Sequence, residues 1–276
     1  PWICNVFRFR EPSHTPLIKM YGNFKYQQLR NVGISQEKAL QMAAFIKISS
    51  FEEGQVIWAK GSKIDAWRFI ITGMVAASLE SPRGLLMPIS IYGEGSWFGE
   101  QSIINRKTSY ADFVCLSSTE VMSISSDIVL ELMETQPTFA LYLTRLMAWR
   151  VQKTSEMLML MKFGNPCLRV VMGLSQFAEA LFYHSDRPPT IGFGQGVEIP
   201  VKQKVLADLC GVSRTIFSEY VQKLAAEGWL TISYGKLEIL SLPNWNKFSN
   251  KQRERQFNDL NPTFEELLKE LKGEPS

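Results

Sequence analysis

Residues 202–240 alternate their chemistry in an order that few folds accommodate. Val205, Leu206 and Leu209 give a short helix one apolar face. Cys210-Gly211-Val212 predicts a tight turn, with glycine where the backbone enters the left-handed region. Ser213 predicts the cap of a second helix, its hydroxyl accepting from an amide of the first turn. On that helix Phe217, Val221 and Leu224 recur at i, i+4 and i+7 and are expected to be buried, which turns Arg214, Thr215, Ser218, Glu219 and Gln222 to the opposite side. Gly228 ends the helix, and residues 230–233 with 236–240 read as a hairpin turning at Tyr234-Gly235. Helix, turn, helix and hairpin in this order predict a winged helix-turn-helix, with a polar face suited to the major groove of DNA.

Upstream the texture differs. Between residues 52 and 125, glycines 54, 61, 73, 84, 93, 95 and 99 separate short β segments (56–59, 68–71, 74–78, 86–91 and 121–124), and Ser81-Pro82-Arg83-Gly84 is a turn. That rhythm predicts a sandwich or barrel, preceded by a helix over 36–47. Ser126 or Asp127 is expected to cap a helix, and Pro137 to open a much longer one running to about Phe163. Within it Leu143, Met147, Arg150, Thr154, Met157 and Met161 alternate at spacings of four and three, a heptad-like seam. Leu146, Trp149, Val151, Leu158 and Leu160 lie off that seam and are more than one packing face requires, so a second copy of the chain is the expected partner. An amphipathic helix lying on its own β domain is the alternative. Phe163-Gly164-Asn165-Pro166 breaks the helix and sets a domain boundary, glycine and asparagine tolerating positive φ there. A helix over 167–183 leads to a loop containing Pro188-Pro189 and Gly192, Gly194 and Gly196, then a strand over 197–201. The last thirty residues are polar apart from Phe264, Leu267, Leu268 and Leu271, which follow Thr263-x-x-Glu266, a capping-box signature for a tail helix packing on either domain.

The 276 residues suggest about two domains. With 45% hydrophobic and 21% charged residues, wholesale disorder and a disulfide-rich mini-scaffold are excluded. Thirty basic against 27 acidic residues leave a net charge of +3, so any basic surface must be local. The four cysteines (4, 115, 167 and 210) show no C-x-x-C spacing and read as reduced thiols in the cytoplasm. No apolar run approaches the ~18 residues of a membrane span, residues 68–79 being interrupted by Thr72 and Gly73, and no membrane partner is expected. Residues 1–10 do not read as a secretion signal.

Residues 205–218, Val-Leu-Ala-Asp-Leu-Cys-Gly-Val-Ser-Arg-Thr-Ile-Phe-Ser, resemble the DNA-binding signature of the cyclic-AMP receptor protein and fumarate–nitrate regulator (CRP/FNR) family. Residues 93–100, Gly-Glu-Gly-Ser-Trp-Phe-Gly-Glu, resemble the phosphate-binding turn of that family's sensor, and residues 151–156 its dimerisation helix. The resemblance implies an α+β fold: an N-terminal cyclic-nucleotide-binding-like β-roll (jelly-roll) over 20–136, a dimerisation helix over 137–163, a winged helix-turn-helix over 164–246 and a C-terminal tail with a short helix over 247–276. It further implies a homodimer on a roughly palindromic operator in double-stranded DNA, recognition helices about 34 Å apart, with RNA polymerase and a small effector as further partners. Ser213 and Gln222 join the DNA-facing set. Arg214 is expected to read a guanine, Thr215, Ser218 and Glu219 to face bases or phosphates, and Lys202, Lys204 and Lys236 to neutralise phosphates. Here the chain departs from the family's best-known member, which is acidic at the position of Thr215 and basic at that of Glu219, so a different operator is expected.

The effector positions depart as well. Gly99-Glu100 match the family's Gly-Glu pair, but Ser109 and Tyr110 stand where cyclic-nucleotide members carry Arg-Ser to grip the phosphate. Thr154 and Ser155 match residues that touch the base. Without the central cation a diester anion is expensive to desolvate, so an effector other than cAMP is expected; Arg106 or Lys107 reaching in from the preceding loop would restore a cyclic-nucleotide-responsive regulator. An iron–sulfur cluster is not expected, because Cys4 stands alone where the oxygen-sensing branch has a cysteine cluster. Haem would rest on His14 or Cys4 as axial ligand, and His184 is assigned no role. The effector's identity stays open, and no metal site is expected. No P-loop, nucleophile elbow or metal-spaced His/Cys set is present, so no catalytic residues are expected. A ligand-binding interaction module that does not bind DNA is the reading from another class.

Overall fold

The computed structural model describes residues 14–81, 84, 86–182, 197–199, 201–233, 236–254 and 260–273. Helices α1 (His14–Asn31) and α2 (Gln36–Ala43) come first. The predicted helix over 36–47 is therefore shorter: Phe45 and Ile46 turn back onto Met42, and Lys47 already belongs to a strand. Among the described residues eight strands follow: β1 (Lys47–Phe51), β2 (Val56–Trp58), β3 (Ala66–Thr72), β4 (Val75–Glu80), β5 (Leu86–Tyr92), β6 (Trp97–Phe98), β7 (Asp112–Cys115) and β8 (Thr119–Ser125), with a short helix α3 (Glu100–Ile104) after β6. They form two four-stranded sheets, ordered β1-β8-β3-β6 and β2-β7-β4-β5. The apolar faces close on an aromatic core, Trp58, Trp67, Phe69, Phe98 and Phe113, in which Trp67 and Trp97 stack at 3.8 Å. Burying each such ring stabilises the roll by roughly 1.5–3 kcal/mol.

Helix α4 (Ser126–Thr135) begins one residue earlier than expected, with Ser125 at the cap position and Asp127 in the first turn. Helix α5 (Pro137–Phe163) then runs the predicted length. Its N-terminal half packs on the β-roll: Phe139, Leu143 and Leu146 are buried in the roll's core. Leu143 thus belongs to an inward stripe rather than to a free seam. The outward stripe is Leu141, Thr144, Ala148, Val151, Ser155 and Leu158, all exposed. Gly164 ends α5 with φ −71°, so positive φ is not what glycine supplies there. A Cβ at this position would meet the Leu160 carbonyl oxygen at 2.7 Å, and that close approach is the constraint.

The C-terminal half comprises α6 (Pro166–Phe182), β9 (Val197–Ile199), α7 (Gln203–Leu209), α8 (Arg214–Ala226), β10 (Leu230–Ser233), β11 (Lys236–Ile239), α9 (Leu242–Glu254) and α10 (Phe264–Lys272). The three strands form one sheet, β10-β11-β9. Leu168, Val171, Leu206, Phe217, Val221, Leu224 and Leu237 make the core, and Trp245, Phe248, Leu267 and Leu271 close it. Both tail helices therefore pack on the winged half. Thr263 and Glu266 form the expected capping box. The domain boundary is tied to this tail: the Asn165 amide donates to Leu260 O at 2.9 Å and its Nδ2 to Pro262 O at 2.8 Å. Tyr234-Gly235, the loop glycines at 192, 194 and 196, His184 and Cys4 lie outside the described residues.

Candidate effector pocket and nucleic-acid interface

At the end of β6 the backbone turns into α3 at Gly99, whose φ of 100° disfavours any side chain. A Cβ there would also meet Trp58 Cη2 at 3.0 Å. The turn sends Glu100 inward, where its carboxylate is 1% exposed and accepts a hydrogen bond from Trp67 Nε1 at 3.0 Å. Arg150 reaches the same carboxylate from α5, Nε lying 2.9 Å from Glu100 Oε1 as an ion pair rather than an aligned hydrogen bond. One terminal nitrogen donates to Trp97 O at 2.5 Å, and the guanidinium lies 5.0 Å from the centroid of the Tyr92 ring. Burial alone would pull Arg150 down, but Glu100, with Tyr92 and Tyr110, outweighs it and holds the guanidinium above its ordinary value. Burial, and then the neighbouring Tyr92 that hydrogen-bonds it, pushes the Tyr110 phenol up. The cavity among Tyr92, Gly99, Glu100, Ser102, Tyr110 and Arg150 is about 10 Å³, room for about one water.

Of the six positions the sequence singles out for an effector, Gly99, Glu100 and Tyr110 line this cavity. Ser109 is buried beside it, but its hydroxyl donates to Ala111 O at 2.6 Å. Thr154 and Ser155 stand exposed on α5, their hydroxyls donating to Arg150 O and Val151 O, both at 2.9 Å. Arg106 and Lys107 are exposed and line no part of the cavity. The pocket's cation is Arg150, which periodicity had counted in the helical seam. A guanidinium set between the apolar Trp149 and Val151 was the available signal. Among the described residues, no three His, Cys, Asp or Glu side chains converge as a metal site, and the His14 side chain lies outside them.

In the winged half the predicted local chemistry is present. Gly211 turns at φ 64° between α7 and α8, and the Arg169 guanidinium donates to its carbonyl at 3.0 Å. Ser213 Oγ accepts from Ile216 N at 3.2 Å. Phe217, Val221 and Leu224 are fully buried, which leaves Thr215, Glu219 and Gln222 exposed and Ser218 half-buried on the other face, with Arg214 exposed to one side of it rather than opposite the triad as expected. The lysines differ from one another. Lys204 is paired with Asp208 at 2.7 Å and Lys236 with Glu198 at 2.9 Å, so part of their positive field is already cancelled. Lys202, at the cap position of α7, and Arg214, at the start of α8, are exposed and have no acidic partner among the described residues.

Residues 48–136 match the family model described as a cyclic nucleotide-binding domain, and residues 175–244 the Crp-like helix-turn-helix domain. Among curated proteins, the "Cyclic AMP receptor protein" of Thermus thermophilus is 23% identical over 207 residues, which cover 75% of this chain and 90% of that one. FixK2 from Bradyrhizobium japonicum shares the fold with a TM-score of 0.57 at 14% identity, covering 79% of this chain and 98% of its own. The c-di-GMP responsive global regulator CLP of Xanthomonas campestris does so with a TM-score of 0.54 at 20% identity, covering 72% and 95%. An N-terminal β-roll, a long helix and a C-terminal helix-turn-helix match the fold of CRP-like solved structures. The chain belongs to the CRP/FNR family: it is a transcriptional regulator with a helix-turn-helix DNA-binding domain, not an enzyme.

Proposed function

We propose that the protein is a cytoplasmic, homodimeric, sequence-specific regulator whose effector is a small molecule other than cAMP. It comprises an effector domain over 20–136, a dimerisation helix over 137–163 and a DNA-binding domain over 164–246. The observation that carries the effector reading is the Arg150–Glu100 pair. The cation that would have to meet a cyclic phosphate is half-buried, paired at 2.9 Å with the buried Glu100 and covered by Tyr92, and the cavity beside it is about 10 Å³. Admitting a nucleotide would break that pair and strand both charges in low dielectric. The outward stripe of α5 supports the dimer: Leu141, Val151 and Leu158 are 48%, 62% and 54% exposed and share one heptad line with the small residues Thr144, Ala148 and Ser155. A second copy of α5 is the occupant that matches such a stripe. Two copies would present two α8 helices to successive major grooves of a palindromic site, with RNA polymerase as a further partner.

Fluorescence anisotropy with duplexes from upstream of its own gene, over a salt series, tests the reading. Binding should weaken linearly on a log–log plot as salt rises, with sequence preference retained. Calorimetric titration with cAMP should give no heat. Saturable cAMP binding would make this a cyclic-nucleotide-responsive regulator, and failure to bind any duplex at low salt would leave an interaction module. A monomer mass in sedimentation at micromolar concentration would refute the dimer.

A further inference from the structure

Helix α8 presents an acid where a DNA-facing helix usually presents a base. At about 100° per residue, the direction opposite the buried stripe of Phe217, Val221 and Leu224 falls between Thr215 and Glu219, within about 15° of Glu219. Arg214 lies well to one side. Glu219 is therefore among the side chains that project furthest from the domain. A free carboxylate there would be repelled by the phosphates flanking the groove, yet this one is not free. Its Oε1 lies 2.8 Å from Lys223 Nζ, one turn on. Lys223 is itself held over two rings, 5.1 Å from the centroid of Tyr220 and 5.9 Å from that of Phe264. Tyr220 and Phe264 lie 6.1 Å apart. Phe264 opens α10, in the stretch after residue 244 that neither family model covers. Lys272 of the same helix pairs with Glu227 at 3.1 Å, so α10 is fastened along the end of α8.

A carboxylate accepts hydrogen bonds and donates none. In the major groove the donors are the amino groups of cytosine and adenine, and adenine places its N7 acceptor beside the amino group, which repels a second acceptor. We propose that Glu219 is a specificity-determining residue that selects a cytosine in each half-site, with Lys223 and Phe264 as the positioning residues that aim and partly neutralise it. The proposal rests on the DNA-binding reading of α8 and gives it a base. The lysine offsets the carboxylate's repulsion from the backbone, and the two aromatic faces keep the lysine from swinging to a phosphate instead. The tail thereby takes part in base choice without touching DNA.

The test is selection of half-sites from a randomised duplex library by the full-length protein, followed by anisotropy on duplexes differing at one base pair. Wild type should enrich a cytosine at one half-site position and lose affinity about tenfold when it is replaced. E219A should flatten the preference at that position alone. E219Q should move it toward adenine, since an amide pairs with adenine's N6 and N7. K223M and F264L should each reduce the cytosine preference while that at the guanine expected opposite Arg214 persists. If the selected site keeps all its preferences in E219A and E219Q, the proposal is overturned while DNA binding stands. Unchanged cytosine preference in K223M and F264L would overturn the positioning role of the lysine and the tail. A wild-type protein that enriches no duplex overturns both the proposal and the reading beneath it.

Discussion

Arg253→Met breaks the tie between the C-terminal helices and the long helix, together with the hydrogen bond from Arg253 Nη1 to Asn250 Oδ1 at 3.2 Å. Glu156 of α5 is 8% exposed, and its Oε2 meets Arg253 Nε of α9 at 3.0 Å. Gln152 Nε2 donates to the other oxygen at 3.0 Å, and Lys153 Nζ lies 3.6 Å from Oε2. Methionine keeps much of the aliphatic bulk and deletes the charge. Removing one partner of a buried pair costs about 3–5 kcal/mol, because the survivor stays charged in low dielectric. Gln152 and Lys153 still serve the carboxylate, so the expected loss is the lower end, about 3 kcal/mol. That should lower the Tm by about 6–12 °C for a chain of this size. Glu156→Gln in the same chain removes the stranded charge, and the double variant should regain about 2 kcal/mol of the loss. Urea unfolding followed by tryptophan fluorescence is a suitable assay, since Trp229 and Trp245 meet edge to face at 6.2 Å inside the winged half. A single variant within about 0.5 kcal/mol of wild type, or a double variant losing the sum of the singles, would refute a buried, coupled pair.

Ser213→Ala should destabilise the winged half by about 1 kcal/mol, because the Ile216 amide loses its acceptor; an unchanged urea midpoint would show the cap to be idle. Gly173→Ala should cost about 1–3 kcal/mol by overpacking, since a Cβ there would stand 2.4 Å from Cys210 Sγ, and adding Cys210→Ala should restore most of it if that contact is the cause. Burial pushes the Cys167 and Cys210 thiols from 9.0 up to about 12. The unfolded chain sheds these protons first, so the stability they contribute is intact below pH 9 and is lost as pH rises toward 12. Urea midpoints should fall across that window, and less steeply in Cys210→Ala; an equal slope in both proteins would assign the fall to other groups.

Much of the winged half was legible because single residues decide its features. Gly211 supplies a left-handed turn, Ser213 a hydroxyl cap, and the buried triad of α8 a face. The missed elements are those set by partners distant in sequence. Strand β1 reads Lys-Ile-Ser-Ser-Phe, without a clean apolar alternation, and is a strand because β8 pairs with it from Lys47–Ser123 to Phe51–Thr119. Helix α9 looked like part of a polar tail, yet Trp245 and Phe248 fill a space that α6 and the rest of the winged half leave open. Ser109 was read toward the pocket from its place in a motif, and a 2.6 Å bond to Ala111 O holds its hydroxyl elsewhere.

Helix α5 shows a sharper limit. Its residues satisfy a spacing of three and four in more than one phase, so periodicity alone cannot say which stripe faces the β-roll. Contact with the roll decides it: Leu143 and Leu146 turn in, and Leu141, Val151 and Leu158 turn out. Arg150 lies on the inward side, closing the pocket against Glu100, one residue from Val151 on the outward stripe and six from Glu156, where α9 is tied on. The pocket, the proposed dimer seam and the tie to the winged half thus meet within two turns of one helix. A ligand that displaced Arg150 from Glu100 would free α5 from the roll at the turn that presents Val151. Such a ligand would bias the dimer and the tail together, whatever its chemistry, only to the extent that it binds the two settings of that turn with different affinity.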